Sequence, residues 1–448
     1  MSLAKHPRHK PSGIDWLGDV PKPWHVKRLR FAALLNPSKS EIAQEPRDAE
    51  VSFLPMEAIG DDGSLSLERT RAIGEVETGY TYFRNGDVTV AKITPCFENG
   101  KGAVMRGLIG GIGFGTTELT VARPREGQTS AEYLHWLFNS TPFRALGEGS
   151  MYGAGGQKRV PDDFFRNFAI AFPPLDEQLA IASFLDRETA KIDVLVAEQE
   201  KLIALLKEKR QTLISHTVIK GLDPVVPVKD SGIEWLGQVP AHWSVLRIGA
   251  LFREAADIGN DDLPILSVSI HDGVSDRELD EAELDRKVSR SEDRSKYKAV
   301  RPGDLVYNMM RAWQGGFGAV TVDGQVSPAY IVARPLREVR TAFIEQILRT
   351  PQAVEQMRRY SRGVTDFRLR LYWEEFKNLR IALPSVEEQQ AILDEIAAET
   401  RTFDALTDEA NRAIELLKER RSALISAAVM GKIDVRGTVN RSCQEVTS

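Results

Sequence analysis

The chain contains the same sequence frame twice. Residues 12–28 and 231–247 are identical at 11 of 17 positions with an offset of 219, and residues 193–215 and 404–426 are identical at 12 of 23 positions with an offset of 211. Between these blocks the two halves mostly diverge. A repeat of this kind predicts two related units of about 220 residues each. Because the repeated blocks are similar and the residues between them differ, we predict two different functional surfaces on one pseudo-symmetric scaffold.

Composition limits the classes of protein to be considered. A length of 448 residues allows two or three domains, and 42% hydrophobic residues with a net charge of −5 describe an ordinary soluble protein. Because the net charge is negative, any basic surface that binds nucleic acid must be confined to part of the protein. Two cysteines fit a reducing compartment. With no apolar run long enough to span a bilayer, we predict a cytoplasmic protein without a membrane segment.

Each half repeats the order of a Trp-Leu-Gly motif, a variable insert and a long helix. The predicted boundaries are an N-terminal arm with the first motif (1–26), a first insert (27–173), a central helix (174–221), a linker with the second motif (222–245), a second insert (246–384), a C-terminal helix (385–434) and a flexible tail (435–448). Both inserts contain short β-like runs, at residues 88–93, 119–122, 305–309 and 330–333. Helical stretches at 131–138 and 342–348 follow matched Val-Ala-Arg-Pro sequences, which predicts mixed α/β inserts.

The long helices are the clearest structural prediction. From Asp176 to about Lys220, and from Glu387 to about Met430, the sequence contains no proline or glycine. Apolar residues follow heptad spacing, which predicts a seam for a partner helix, the other copy being the simplest partner. The predicted seam residues are Ile181, Leu185, Ile192, Leu195, Leu202, Leu206 and Leu213 in the first helix, and Ile392, Ile396, Phe403, Leu406, Leu417 and Leu424 in the second.

Charged residues interrupt this seam at matched positions in both helices. In an antiparallel pair, Glu188 would face Arg420 and Glu399 would face Lys209, which would fix register and orientation. The alternative is that these side chains extend to water. The predicted fold class is α+β, with two mixed α/β domains in a pseudo-two-fold arrangement, joined by two long antiparallel, coiled-coil-like helices. Such helices would hold two reading domains at separated half-sites of a DNA duplex, whose turn is about 34 Å.

Catalytic motifs are missing from the sequence. Residues 99–102 contain Gly-Lys but lack the upstream glycine and the Ser/Thr of a phosphate-binding loop, and the glycine cluster at 111–115 is better explained by turns. No Asn-Pro-Pro-aromatic methyltransferase motif, Gly-x-Ser-x-Gly elbow or metal-ligand spacing occurs. We therefore predict a non-catalytic chain that has no cofactor and no metal.

Four loops instead combine basic residues with glycine and aromatic residues, two at matched places in each half. Lysine and arginine neutralise phosphates, and Arg, Asn and Gln can read base edges. The candidate DNA-binding residues are Lys92, Thr94, Asn99, Lys101, Gln157, Lys158 and Arg159 in the first half, and Asn308, Arg311, Trp313, Gln314, Arg362, Thr365, Arg368 and Arg370 in the second. A single loop of this kind is more often an ordinary surface loop, but four at matched places favour binding.

The basic run 286–301, with Arg290, Arg294, Lys296 and Lys298, fits a solvated helix and a phosphate contact equally well.

Several motifs in combination resemble those of one known family, across residues 12–434. They are the Gly-Ile-(Asp/Glu)-Trp-Leu-Gly sequences at 13–18 and 232–237, Gly86-Asp87 with 91–95, residues 303–307, 157–161 and 173–178, and the Leu-Leu-Lys-Glu-(Lys/Arg)-Arg sequence of both helices. The chain resembles the specificity (S) subunit of type I restriction–modification enzymes. The resemblance implies two target-recognition domains that read a bipartite, asymmetric double-stranded DNA site. It also implies two modification subunits that bind S-adenosylmethionine and methylate adenine, and motor-nuclease subunits that use ATP, as partners.

Two other functions were considered. A non-catalytic helical scaffold that joins protein partners without reading DNA is favoured by the net acidity and disfavoured by the divergent basic loops. A self-contained nuclease or methyltransferase lacks the motifs that it would need.

Overall fold

The computed structural model describes residues 4–154, 156–270, 273–279, 296–363 and 369–437. The chain divides into two compact units, residues 1–199 with 412–448, and residues 200–411. The division falls inside both long helices, so that each helix contributes one part to each unit.

The first unit contains twelve of the described strands and five shorter helices. The strands are β1 (His9–Pro11), β2 (Asp19–Pro21), β3 (His25–Arg28), β4 (Ala33–Leu35), β5 (Glu50–Leu54), β6 (Thr70–Ala72), β7 (Thr81–Arg84), β8 (Val88–Ala91), β9 (Gly102–Val104), β10 (Ile112–Gly115), β11 (Leu119–Pro124) and β12 (Ala169–Phe172). The helices are α1 (Leu29–Ala32), α2 (Ile73–Val76), α3 (Ala131–Phe138), α4 (Thr141–Gly149) and α5 (Asp162–Asn167), followed by the long helix α6 (Leu175–Lys220).

The second unit contains the other twelve described strands. They are β13 (Val228–Asp230), β14 (Gln238–Pro240), β15 (Ser244–Arg247), β16 (Phe252–Ala255), β17 (Val268–Ser269), β18 (Gly273–Val274), β19 (Lys298–Val300), β20 (Leu305–Asn308), β21 (Phe317–Ala319), β22 (Gly324–Val326), β23 (Tyr330–Pro335) and β24 (Arg380–Leu383). The helices are α7 (Thr341–Leu348), α8 (Pro351–Tyr360), α9 (Trp373–Phe376) and the long helix α10 (Val386–Val429).

The internal topology of the two units is alike where the sequence repeats. The sheet β4-β11-β8-β9 of the first unit has the same order as β16-β23-β20-β21 of the second, and the two-stranded pairs β1-β2 and β12-β3 correspond to β13-β14 and β15-β24. They differ elsewhere: the first unit has a second four-stranded sheet, β6-β5-β10-β7, where the second has the small pairs β17-β18 and β19-β22. Mixed α/β domains are therefore confirmed.

The repeated Trp-Leu-Gly motif forms the same closed loop in each unit. The amide of Ser12 donates to the carbonyl of Gly18, and that of Ser231 donates to Gly237, each over 3.0 Å. Gly13 at the start of the first loop has φ of +74°, a conformation that favours glycine. The second tryptophan of each repeated block, Trp24 and Trp243, is at most 1% exposed and belongs to the main hydrophobic core of its own unit. The repeated block is thus explained by packing.

The Gly-Asp and Val-Ala-Arg-Pro repeats form a buried ion pair in each unit. In the first unit the guanidinium of Arg123 donates to both carboxylate oxygens of Asp87, at 2.6 and 2.8 Å, and also to Glu41. Arg334 and Asp304 form the same pair in the second unit, at 3.0 and 2.9 Å. These partners hold the pKa of each arginine well above its usual range. The pair joins β11 to the turn before β8, and its counterpart joins β23 to the turn before β20.

Each long helix begins against its own domain through a buried glutamine. Gln178, which is fully buried, donates to the carbonyl of Pro173 (2.9 Å) and accepts from the hydroxyl of Thr129 (2.8 Å). Gln389 donates to the carbonyl of Pro384 (2.9 Å) and accepts from the amide of Arg340 (2.9 Å). The helices run for 46 and 44 residues, which confirms the predicted length and absence of breaks.

Within each unit, the parts of α6 and α10 are antiparallel, as predicted. In the first unit Asp193 of α6 pairs with Arg421 of α10 at 2.9 Å, and Arg436, beyond the end of α10, lies near Asp176 and Glu177 at the start of α6. In the second unit Arg210 lies 3.9 Å from Asp404, while Gly221 and Glu388 are neighbours.

Along part of each helix the predicted seam is wrong, because the residues on the packed face are not those that the heptad pattern selects. Leu195 and Leu406 are each 45% exposed, and Leu202 is 42% exposed. In α6 the least exposed side chains instead continue from the buried Ile192 to the buried Leu206 through Val196 and Ile203, which are half-buried, and the buried stripe of α10 runs through Phe403, Ala410 and Ile414. Heptad packing alternates steps of three and four residues, and a step to the adjacent residue turns the side chain by about 100°. The exposed leucines therefore lie beside the stripe.

The predicted charged contacts across the helices also need correction. Glu188 accepts from Arg187 and Lys191 of its own helix, at 3.1 and 2.9 Å, and does not pair with Arg420, which is exposed. In the second unit Lys209 is exposed and Glu399 is half-buried. The charges that pair across the helices are Asp193–Arg421 and Arg210–Asp404, whose side chains are partly exposed, so that water lowers the cost of placing them there.

The basic run 286–301 lies partly outside the described residues, including Arg290 and Arg294. Its described end is not helical: Lys298 begins β19, and its ammonium group donates to the carbonyl of Tyr330 over 2.8 Å.

Candidate nucleic-acid interface

The two candidate loops of the first unit are joined through their backbones. The amide of Thr94 donates to the carbonyl of Lys158 (2.9 Å), and the amide of Val160 donates to that of Lys92 (2.8 Å). Arg159 and Tyr152 exchange backbone hydrogen bonds of 2.9 and 3.1 Å, which closes the second loop as a hairpin. Loops that are some sixty residues apart in sequence thus form one surface, which we call the first loop cluster (92–102, 152–154 and 156–160).

Side chains in the first of these loops are mostly held by the protein itself. The ammonium group of Lys92 lies 3.7 Å from Asp162, and that of Lys101 donates to the carbonyl of Met56 over 3.2 Å. The hydroxyl of Thr94 donates to Glu98 (2.8 Å). Asn99 is exposed. Of the four predicted residues, Asn99 is therefore the most accessible.

The second loop carries the more accessible candidates. Gln157 and Lys158 are exposed at the end of the hairpin. Gly153 has φ of +123°, and a Cβ atom there would lie 3.0 Å from the carbonyl oxygen of Gln157, so the narrow hairpin requires glycine. Arg159 is bound by Glu118 through two short contacts, and this arginine with Lys92 holds the pKa of the Glu118 carboxyl below its usual range.

The candidate loops of the second unit also meet. The amide of Leu371 donates to the carbonyl of Met309 (2.8 Å), and Arg362 and Arg370 exchange backbone hydrogen bonds of 2.9 and 3.0 Å. We call this surface the second loop cluster (308–316, 362–363 and 369–371). Thr365 and Arg368, which the sequence also predicts here, lie outside the described residues.

Aromatic and cationic groups lie together in the second loop cluster. The indole of Trp313 donates to the carbonyl of Met310 (3.0 Å), and the guanidinium of Arg358 lies 5.9 Å from the ring centroid of Trp313, a cation–π distance. The remaining predicted side chains differ in accessibility: Arg311 and Asn308 are half-buried, Gln314 and Arg370 are exposed, and Arg362 is exposed and pairs with Glu375.

Sequence reasoning missed three residues of these surfaces. Glu118 lies outside the predicted loops, and a lone acidic residue gave no signal. Arg358 comes from α8, whose contact with Trp313 is purely tertiary. Tyr152 belongs to the second predicted loop but was not among the candidate residues; it is 63% exposed, and an aromatic residue beside a glycine-rich turn is a candidate for stacking.

The chemistry of both clusters is that of binding. Exposed Lys and Arg can contact phosphates, Asn, Gln and Arg can read base edges, and Tyr or Trp can pack against a sugar or a base. Among the residues that the structure describes, no group of three or more His, Cys, Asp or Glu side chains could hold a metal ion. In the same residues, no helix is long and apolar enough to cross a membrane.

The curated proteins that the chain matches include specificity subunits of type I restriction enzymes. The chain is 41% identical over 189 residues to the type I restriction enzyme EcoEI specificity subunit of Escherichia coli, covering 42% of this chain and 31% of that protein. It is 39% identical over 230 residues to the EcoAI specificity subunit of the same species, covering 51% and 37%. The chain thus matches about a third of the length of these two relatives. The MjaVIII specificity subunit of Methanocaldococcus jannaschii is 22% identical over 316 residues, covering 67% of this chain and 70% of that protein.

Solved structures share the fold over nearly the whole chain. One, from work on complex assembly and conformational transition of the type I R-M system, has a TM-score of 0.69 at 16% identity and covers 92% of this chain and 99% of its own. The HsdS subunit from Thermoanaerobacter tengcongensis has a TM-score of 0.55 at 16% identity, with 92% and 98% covered. No protein-family model matches the chain. These matches confirm the resemblance to type I specificity subunits that the sequence indicates.

Proposed function

We propose that this chain is the DNA-recognition subunit of a type I restriction–modification complex, with each unit reading one half of a bipartite, asymmetric site. The observation that carries the proposal is the recurrence of the loop clusters. In each unit, two basic loops predicted from the repeat are joined by backbone hydrogen bonds after equivalent strands, β8 and β20. Their side chains nevertheless differ, as they would if the two units read different bases.

The proposed role needs no chemistry from this chain. Two modification subunits, binding S-adenosylmethionine and methylating adenine, would be positioned by this subunit, and ATP-dependent motor-nuclease subunits would join them for restriction. Specificity subunits of type I restriction enzymes are the relatives that the chain matches, and the fold agrees with solved structures over 92% of its length. We place the complex in the cytoplasm, where it meets chromosomal DNA.

The second candidate function, a helical scaffold that does not read DNA, has one observation in its favour. The chain carries a net charge of −5, and several candidate cations are already paired with acidic side chains, as Arg159 is with Glu118. The exposed cations of both clusters and the similarity to specificity subunits favour DNA recognition instead.

The experiment that separates these functions is sequencing of methylated DNA from cells with and without this gene. DNA recognition predicts that one bipartite N6-methyladenine motif, made of two different half-sites, disappears when the gene is deleted and returns with the gene on a plasmid. A scaffold predicts an unchanged set of methylated motifs.

A further inference from the structure

We infer that Glu118 is a positioning residue that orients Arg159 to read a guanine in the half-site of the first unit. This inference rests on the proposed function and deepens it, since it assigns one base contact to one side chain. The contact is an ion pair between Arg159 of the first loop cluster and Glu118, which lies just before β11.

The geometry of the pair fixes which donors of the arginine are used. Nε of Arg159 donates to Oε2 of Glu118 over 2.9 Å, and Nη2 donates to Oε1 over 2.8 Å. These two parallel bonds occupy the Nε–Nη2 edge of the guanidinium, which carries five N–H donors in a planar fork. The contact is therefore bidentate and holds the plane of the guanidinium, not only its charge.

The remaining donors suit a guanine. Two parallel N–H groups stay at the Nη1–Nη2 end, and Nη1 is 3.5 Å from the carbonyl oxygen of Gln157, a contact at the limit of a hydrogen bond. Guanine presents two acceptors, N7 and O6, to the major groove, and a bidentate arginine is their commonest partner. Adenine presents a donor in place of O6, so the same fork would leave one N–H facing another N–H.

Both residues are anchored through their backbones, which distinguishes the pair from an ordinary surface ion pair. The backbone amide and carbonyl of Arg159 both bond to the backbone of Tyr152. The backbone carbonyl of Glu118 accepts from the amide of Lys92 (2.8 Å), and the amide of Glu118 donates to the hydroxyl of Thr116 (3.2 Å). The side chains of Arg159 and Glu118 are 38% and 22% exposed. In the pair between Arg69 and Glu57 of the same unit, the exposed fractions are 60% and 66%.

The second unit lacks this arrangement at the matched positions. At the offset of 211, Arg370 corresponds to Arg159, but Ala329 corresponds to Glu118 and has no carboxylate. The backbone of Arg370 pairs with that of Arg362, as the backbone of Arg159 pairs with that of Tyr152. At these matched positions, the orienting carboxylate is therefore present in the first unit and not in the second, and the half-site of the second unit provides a control within the same molecule.

The test compares DNA preferences of the full complex, assembled with its modification subunits. The variants are Arg159→Lys, Glu118→Ala and Glu118→Gln, with Glu57→Gln as the matched control in an exposed ion pair of the same unit. Each complex is incubated with DNA in which both half-sites are randomised, and the bound DNA is sequenced. At the position where Arg159→Lys changes the preference, affinity is then measured with guanine replaced by 7-deazaguanine, which lacks the N7 acceptor.

We expect wild type to prefer guanine over the other bases at one position of one half-site by roughly 5- to 150-fold. Arg159→Lys should remove most of this preference, because lysine has no planar fork. Glu118→Ala should reduce it to a few-fold, with Glu118→Gln intermediate, because the amide keeps one acceptor. The control variant and the other half-site should not change. The 7-deaza substitution should weaken wild type and leave Arg159→Lys unaffected.

Three outcomes overturn the inference. An equal loss of affinity for all sequences in Arg159→Lys, with a shallower salt dependence, would make Arg159 a phosphate contact. A full guanine preference in Glu118→Ala would remove the positioning role. If wild type itself selects no sequence, the proposed function fails, and the inference fails with it; this result differs from the first two, in which wild type remains specific.

Discussion

Buried arginine–carboxylate pairs are the strongest constraint at the scale of single residues. The side chain of Asp87 is 1% exposed and that of Arg123 is 11% exposed, and the pair ties two strands of the first unit together. Removing Asp87 leaves the largely buried guanidinium of Arg123 with part of its compensation, from Glu41, and this should still cost more than loss of an exposed pair. The same arrangement in Asp304 and Arg334 explains why Gly-Asp and Val-Ala-Arg-Pro recur in both halves.

We predict that Asp87→Ala lowers the free energy of unfolding of the first unit by up to about 3–5 kcal/mol, the upper value being that of a buried charge left with no partner. Glu57→Ala, which breaks an exposed pair with Arg69 in the same unit, should cost at most about 1 kcal/mol. Urea-induced unfolding, followed by hydrogen exchange to identify the unit that unfolds, measures both. Equal effects of the two substitutions would contradict the structural importance of the buried pair.

A histidine in the first unit gives a pH-dependent prediction. Burial, followed by the positive charges of Arg144, Arg421 and Arg106, lowers the pKa of His135 to about 4. Its ring lies against Trp136 at 5.3 Å between centroids. The unfolded chain, with a histidine pKa of about 6.5, binds the proton more readily than the folded chain. The stability contributed by the neutral ring is therefore present above pH 6.5 and is lost as the pH falls toward 4.

Between pH 7 and pH 4, His135→Gln should lose less stability than wild type, by roughly 2 kcal/mol after allowance for the partial exposure of the ring. The measurement is the free energy of unfolding of both proteins across this range. Parallel pH profiles for the two proteins would show that His135 does not titrate differently on folding.

The sequence showed where the motifs that contain these residues lie along the chain, but it did not show which residues they contact. The sequence singles out the Gly-Asp dipeptide as a motif, but its ion pair with an arginine 36 residues later was not foreseen, because spacing along the chain carries no distance information. Glu118 is the clearest example, since only the closing of the hairpin by Tyr152 and Arg159 brings it to its partner.

At the scale of elements, the long helices show what periodicity can and cannot predict. Their existence, length and antiparallel order within each unit follow from the absence of proline and glycine and from the repeated heptads. Their packed face does not follow as simply, because exposed leucines lie directly beside the stripe. Val196 and Ile203 lie in the stripe of α6, whereas Leu195 and Leu202 are exposed. Hydrophobicity alone cannot choose between adjacent positions when both are apolar.

A pair of alanine substitutions tests the phase of this stripe. Ile192 is 6% exposed and Leu195 is 45% exposed, and both lie in the part of α6 that belongs to the first unit. Ile192→Ala should lower the free energy of unfolding by about 2–4 kcal/mol through lost packing, whereas Leu195→Ala should cost less than about 1 kcal/mol. Alanine preserves helix propensity in both variants, so the difference in urea midpoints reports packing. A larger cost for Leu195→Ala than for Ile192→Ala would show that Leu195 belongs to the packed face, as the heptad pattern predicted.

At the scale of the whole molecule, the repeat predicted the common topology of the two units and the matched positions of their loops. It could not predict that the two loops of each cluster would be joined by backbone hydrogen bonds, because those contacts depend on how the strands pair. The frame is maintained by buried residues such as Trp24 and Trp243, whereas the cluster residues are free of that packing constraint and differ between the units. This division between packed frame and variable surface is the basis of the proposed function.

The central claim is that each unit reads its own half of the DNA site. It is tested most directly by sequencing methylated DNA from gene-deleted cells that carry wild type, the second-unit variant Arg311→Ala with Trp313→Ala, or the first-unit variant Arg159→Ala. Melting temperatures of the purified complexes establish that the variants are folded. We predict that wild type restores one bipartite N6-methyladenine motif, and that each variant relaxes the base preference of a different half while leaving the other half intact. Relaxation of both halves by either variant, or a wild-type motif without two distinct halves, would contradict the account.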